Sequence, residues 1–135
     1  MSVLYDPIRK KRVSALPEER VRQALLHQMM YALGYPKGMI GVEKRIGSAQ
    51  RRADIIVHVR RHDTLVPLVV IECKAELVDE EGYWQASGYN RSIFAPFICI
   101  AHAKGIRTYW KESSIIRSVA FLPPYQQLAL WANHA

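Results

Sequence analysis

From residue 17 onward the apolar positions recur at helical spacing. Val21, Leu25, Met29 and Ala32 share one face, which predicts an amphipathic helix running to about Leu33. Leu16-Pro17-Glu18-Glu19 reads as its start. Proline in a first turn gives up an N–H that has no partner there, and two acids meet the positive end of the helix dipole. Gly34 is a natural stop, and Pro36 prevents continuation. Beyond it the period changes to two. Residues 39–46 (MIGVEKRI), 53–60 (ADIIVHVR) and 65–73 (LVPLVVIEC) read as three strands, the last two joined by a turn at RRHDT. In the second strand Ala53, Ile55, Val57 and Val59 lie on one face and Asp54, Ile56, His58 and Arg60 on the other. Pro67 falls near the start of the third, where a missing donor does least harm.

Glu76 to about Asn90 reads as a second helix, and residues 96–102 (PFICIAH) as a buried strand. Lys104-Gly105 turns the chain into a last strand over Arg107–Lys111. Pro123-Pro124 then introduces a short helix with Leu128, Leu130 and Trp131 for packing. The order is helix, three strands, helix, two strands, helix. That order predicts an α/β domain with a mixed central sheet of about five strands flanked by helices. Residues 1–14 read as an irregular arm with Arg9, Lys10, Lys11 and Arg12 in a row, a solvated tail rather than a specific DNA contact. The chain shows no repeat, low-complexity stretch or linker. Its 135 residues therefore divide into an arm (1–14), a core (15–111) and a C-terminal extension (112–135) of one domain. A chain of this size buries roughly two-thirds of its unfolded surface, so it needs no disulfide or structural metal to fold.

Composition narrows the setting. No run approaches the roughly 18 apolar residues of a membrane span. The N-terminus carries an early acid, Asp6, and no apolar segment of the signal-peptide kind. Cys73 and Cys99 each sit inside an apolar run with no CxxC partner, which reads as two buried thiols in a reducing cytoplasm. The net charge of +7 and pI of about 9.6 favour a polyanionic partner, nucleic acid or an anionic membrane surface.

The chemistry concentrates on the central hairpin. Asp54 precedes one apolar strand, and Glu72 and Lys74 end the next as Ile71-Glu72-Cys73-Lys74. Residues two apart in a strand share a face, so Glu72 and Lys74 point together. A turn centred near Asp63 puts Asp54 opposite about residue 72. Burial among valines and isoleucines opposes ionisation of these acids, and a divalent cation resolves the conflict. Two carboxylates and the backbone carbonyl of Cys73 form a hard-oxygen site suited to Mg²⁺, with Mn²⁺ as a substitute. Such a cation polarises a phosphodiester and acidifies a bound water, while a lysine at plus two holds that water or stabilises charge on phosphorus. The plainer alternative is a strand cap at Asp54 and a surface ion pair of Glu72 with Lys74.

At these residues the chain resembles the PD-(D/E)xK nucleases, most closely the N-terminal nuclease domain of type I restriction enzyme R subunits. PEERVRQALL, Leu33-Gly34-Tyr35-Pro36, RRADIIV, VVIECKA and the run from Gln85 to Asn90 carry the likeness, over about residues 17–111. The resemblance implies a restriction-endonuclease-like fold, with Asp54 and Glu72 as metal ligands and Lys74 as the catalytic lysine. It implies a further acid on the first helix ahead of an arginine, which is Glu19, with Glu18 the alternative; dipole pairing alone accounts for either. Gln85 and Tyr89 match the QxxxY motif of RecB-like nucleases. Four residues apart on a helix, they would contact the DNA backbone or orient the lysine, or simply belong to an amphipathic helix. The family's proline before the aspartate is Ala53 here. No GxxxxGK[ST] loop is present, so the ATP-driven motor of R subunits is not implied, and the chain reads as a stand-alone relative or one excised domain.

Three functions follow. The first is a Mg²⁺-dependent deoxyribonuclease in which Arg51, Arg52 and Lys44 contact phosphates or form a solvated basic face. Other subunits of a restriction system are then natural partners. The second is a nucleic-acid-binding module that does not cut, or cuts only with a partner. The third is an assembly protein using Tyr125, Leu130 and Trp131 as a homodimer face, unless these pack on the domain's own sheet.

Overall fold

The computed structural model describes residues 2–45, 52–74 and 95–133. A two-stranded hairpin, β1 (Val3–Asp6) and β2 (Lys11–Ser14), leads into α1 (Pro17–Tyr31). After a short 3-10 turn (Lys37–Met39) come β3 (Ile40–Arg45), β4 (Arg52–Arg61) and β5 (Thr64–Cys73). Then follow β6 (Phe97–His102), β7 (Gly105–Glu112), β8 (Ile115–Val119) and α2 (Tyr125–Asn133). Strands β3 to β8 form one mixed sheet in chain order. Every neighbouring pair is antiparallel except β5 with β6. A parallel pair needs a crossover connection, which falls to the chain between Cys73 and Phe97; the helix expected over Glu76–Asn90 lies outside the described residues.

The α/β architecture with a mixed sheet agrees with the sequence reading, but the strand count does not. Six strands form the sheet instead of about five, and the N-terminal arm is a hairpin, not an irregular tail. Both additions escape a hydrophobic-period reading. β8 is an edge strand whose residues are mostly exposed, and the hairpin is held by Asp6. That carboxylate is fully buried and accepts hydrogen bonds from the backbone N–H groups of Ile8 and Arg9 (both 2.8 Å), from Arg9 Nε (2.7 Å) and from Gln23 Nε2 (2.9 Å). An aspartate that gathers the N–H groups just after it makes a turn without needing an apolar stripe. The helix also ends earlier than expected. Its last turn is closed by Leu33 N–H on the Gln28 carbonyl and Tyr35 N–H on the Met29 carbonyl (2.9 Å), with Gly34 between them at φ 71°.

The main core lies on one face of the sheet. Leu25, Leu26 and Met29 of α1 and Leu128 of α2 pack there against Ile55, Val57, Val69, Ile71, Phe97 and Cys99. The C-terminal helix is pinned by polar contacts as well. Tyr35 OH donates to the Pro123 carbonyl (2.7 Å), Tyr125 OH to the His58 carbonyl (3.0 Å) and Arg61 Nη2 to the Ala129 carbonyl (2.6 Å). Tyr125 and Trp131 thus pack on the chain's own core, and of the expected dimer face only Leu130 stays exposed, at 54%. No helix among the described residues is long and apolar enough to cross a membrane.

Candidate active site

The site is set by the β4–β5 hairpin. His62 and Asp63 close it with φ of 49° and 64°, the left-handed pair that a two-residue hairpin loop requires. From Arg61 with Thr64 to His58 with Pro67 the ladder is regular; it then shifts, and resumes at Val57 with Val69. Leu68 is the extra residue of this β-bulge, and both Leu68 and Val69 turn into the main core. The bulge reverses the parity of the rest of β5. Ile71 and Cys73 therefore face the core, Ile71 pairs with Ile55, and Glu72 comes out on the other face at the level of Asp54.

Asp54 is held at both oxygens. Oδ2 accepts from the backbone N–H of Cys73 (2.7 Å), and Oδ1 accepts from Arg22 Nη2 (3.3 Å). Glu72 is 4% exposed, and its Oε1 is a buried atom with no hydrogen-bond partner. Burial pushes its carboxyl up to about 8; the charge of Asp54 and a hydrogen bond with it add to the effect, Glu18 contributes in the same sense, and Lys74 opposes it. The Lys74 backbone N–H donates to the Ala101 carbonyl (2.7 Å), so the residue leaves the sheet from a fixed point. The Cys73 thiol lies in the core on the opposite face of the sheet; burial raises its pKa strongly, and the charges of Asp54 and Glu72 add to the effect.

Glu19 and Glu18 part company here. Glu19 accepts from Arg9 Nη2 (2.7 Å) and is ion-paired with Arg22 Nε (3.4 Å). The more exposed Glu18 is the helix acid whose charge reaches Glu72. Among the described residues no group of three or more His, Cys, Asp or Glu side chains is gathered closely enough to hold a metal. Lys44 and Arg52 lie on β3 and β4, Lys44 pairing with Ala53 and Arg52 with Arg45, one or two positions from Asp54. Arg51, Gln85 and Tyr89 fall outside the described residues.

Sequence reasoning missed the arginines that organise this region. Arg22, buried on α1, faces Glu19, Glu43 Oε1 (3.2 Å) and Asp54. Its Nε and Nη1 make ion pairs without aligned hydrogen bonds. Arg9 joins Asp6, Glu19 and Glu43 Oε2 (3.3 Å). Glu43 adopts φ 53° in the midst of β3, at the position that skips pairing between Val42 and Lys44. A non-glycine residue in that conformation is strained, and here the strain accompanies a carboxylate brought between two arginines. The sequence signal was available: Arg22 stands three residues after Glu19, and Glu43 interrupts a strand.

Among families, the model described as type I restriction enzyme R protein N terminus (HSDR_N) matches residues 17–121. No curated protein and no solved structure matches the chain.

Proposed function

Because the chain belongs to the family of type I restriction enzyme R protein N termini, we propose that it is a metal-dependent nuclease of the PD-(D/E)xK kind, cleaving DNA for a restriction system. The observation that carries this reading is the buried Glu72 carboxylate with a partnerless oxygen, at the level of Asp54 on one face of the sheet. A buried carboxylate beside a second acid is costly unless positive charge or a proton is supplied. The donors are hard oxygens, which fit Mg²⁺ and its substitute Mn²⁺.

In this reading Asp54, Glu72 and the carbonyl of Cys73 hold the metal, which when bound polarises the phosphodiester and acidifies its water. The third acid comes from the start of α1. Glu18 suits that task better than Glu19, which is committed to Arg9 and Arg22. Lys74, two residues beyond Glu72, holds the attacking water or stabilises charge on the phosphate. Arg51, Arg52 and Lys44 position the DNA backbone without reading sequence. Gln85 and Tyr89, matched to the QxxxY motif, contact the DNA backbone or orient the lysine. Most of the catalysis is positioning and electrostatics, as phosphoryl transfer allows.

One observation favours a second reading, a binding module that does not cut. Arg22 Nη2 already places a positive charge on Asp54 Oδ1, as a cation substitute would. The two readings separate on supercoiled plasmid incubated with Mg²⁺ or Mn²⁺, with Lys74→Ala in parallel. Nicking by the unaltered chain alone, abolished by chelator, supports the nuclease. Equal cutting by Lys74→Ala refutes the assigned chemistry, and DNA binding without cutting favours the module.

A further inference from the structure

The N-terminal hairpin carries a charge pattern that the acidic site does not use. Arg9 turns inward, and the next three residues, Lys10, Lys11 and Arg12, are exposed. A loose tail would let these charges spread apart. Here the backbone is fixed: the Asp6 carboxylate gathers the turn, Ile8 packs on the main core and Gln23 of α1 reaches Asp6. Burial opposes the charge on Asp6, but hydrogen bonds from Arg9, Gln23 and Ile8 outweigh it and hold the carboxyl below its ordinary range. The hairpin's own acid is therefore spent inside, and its outer charge is wholly positive.

The hairpin is also tied to the site. Arg9 Nη1 meets Glu43 (3.3 Å), Glu43 meets Arg22 Nη1 (3.2 Å), and Arg22 Nη2 meets Asp54 (3.3 Å). Three ion pairs thus join the turn that presents Lys10 to the first acid of the hairpin β4–β5. Lys11 and Arg12, consecutive on β2, point to opposite sides of the ribbon next to Lys10 at its turn, so the tip of the hairpin is positive on both sides and attracts a polyanion. We infer that the β1–β2 hairpin is a docking surface for the phosphate backbone of the DNA strand that enters the Asp54–Glu72 site, with Lys10, Lys11 and Arg12 as its contacts. This rests on the nuclease reading for the identity of the polyanion.

The test is DNA affinity of the full chain by fluorescence anisotropy in chelator, between ~50 and ~200 mM salt. A Lys10→Ala/Lys11→Ala/Arg12→Ala variant is compared with a Lys37→Ala/Lys104→Ala/Lys111→Ala variant, which loses the same charge from other exposed positions. The hairpin variant is expected to bind about tenfold or more weakly, with the slope of log affinity on log salt reduced by about two to three. The control should bind nearly as the unaltered chain does, and both should keep its melting curve. Equal losses in the two variants would reduce the effect to net charge and overturn the inference, as would undiminished binding by the hairpin variant. Either result leaves the nuclease reading standing if the unaltered chain binds and cuts. If it binds DNA through the hairpin but never cuts, the docking surface survives and the nuclease reading fails. If it does not bind DNA at any salt concentration, both fall.

Discussion

The backbone N–H of Cys73 donates to the side chain of Asp54 at 2.7 Å, not to a strand carbonyl. The acid of one strand thereby fixes the backbone from which Glu72 and Lys74 project. Asp54→Ala leaves that amide without its acceptor at a buried residue, a loss of about 1–3 kcal/mol. Asp54→Asn keeps an oxygen in place. The alanine variant is expected to unfold at lower denaturant than the asparagine variant, while neither cuts DNA. Equal midpoints would mean that the contact does not order the site.

Glu72 makes a pH prediction. Burial and the neighbouring Asp54 disfavour its charge and push its carboxyl from an ordinary 4.5 up to about 8 in the folded chain. Between those values the folded state binds more protons than the unfolded, so stability falls as pH rises. In chelator, Glu72→Gln should be more stable than the unaltered chain at pH 8 by more than about 1 kcal/mol, the worth of one unit of displacement. The gap should close near pH 5. A constant gap across that window would contradict a protonated Glu72.

Metal should act on the same residue from the opposite side. A cation that binds only the folded chain raises its stability by mass action. Millimolar Mg²⁺ is expected to raise the melting temperature of the unaltered chain at pH 8 and to leave Glu72→Gln and Asp54→Ala nearly unmoved. A uniform rise in all three would point to screening, not to a site.

Arg22 is paired to three carboxylates from a buried position. Arg22→Leu leaves Asp54 without its cation and Glu19 and Glu43 with Arg9 alone, and should cost about 3 kcal/mol in denaturant unfolding. Arg22→Lys should recover little, because a point charge cannot span three acceptors as a guanidinium does. Full recovery by lysine would show that only the charge matters.

Both thiols are buried, and burial pushes Cys99 up to about 12. Neither should react with an aromatic disulfide reagent in the folded chain, and both should react once the chain is unfolded. Labelling under native conditions would require an opening of the main core.

The legible parts of the sequence were those governed by period. The α1 stripe, the alternation of β4 and the run ending in Glu72 all follow from burying one face. The facing of Asp54 and Glu72 was also legible, but by two displacements that cancel. The turn centres between His62 and Asp63, earlier than Asp63 itself, and the extra residue Leu68 restores the difference. The hairpin β1–β2 and the edge strand β8 bury little, so period carries no signal for them. The arginines were hidden for another reason: a basic residue on an amphipathic helix reads as its wet face, and only tertiary packing turns Arg22 inward against Asp54 and Glu43.

The bulge at Leu68 gives the chain slack. Remove any one residue from 68 to 71 and the ladder becomes regular from the turn onward, with Asp54 and Glu72 still facing one another. Remove two and nothing is left to absorb the change, and Glu72 rotates into the core beneath α1 and α2. Deleting one residue in β5 would thus keep the acid pair, whereas deleting a second would part it with every carboxylate still encoded.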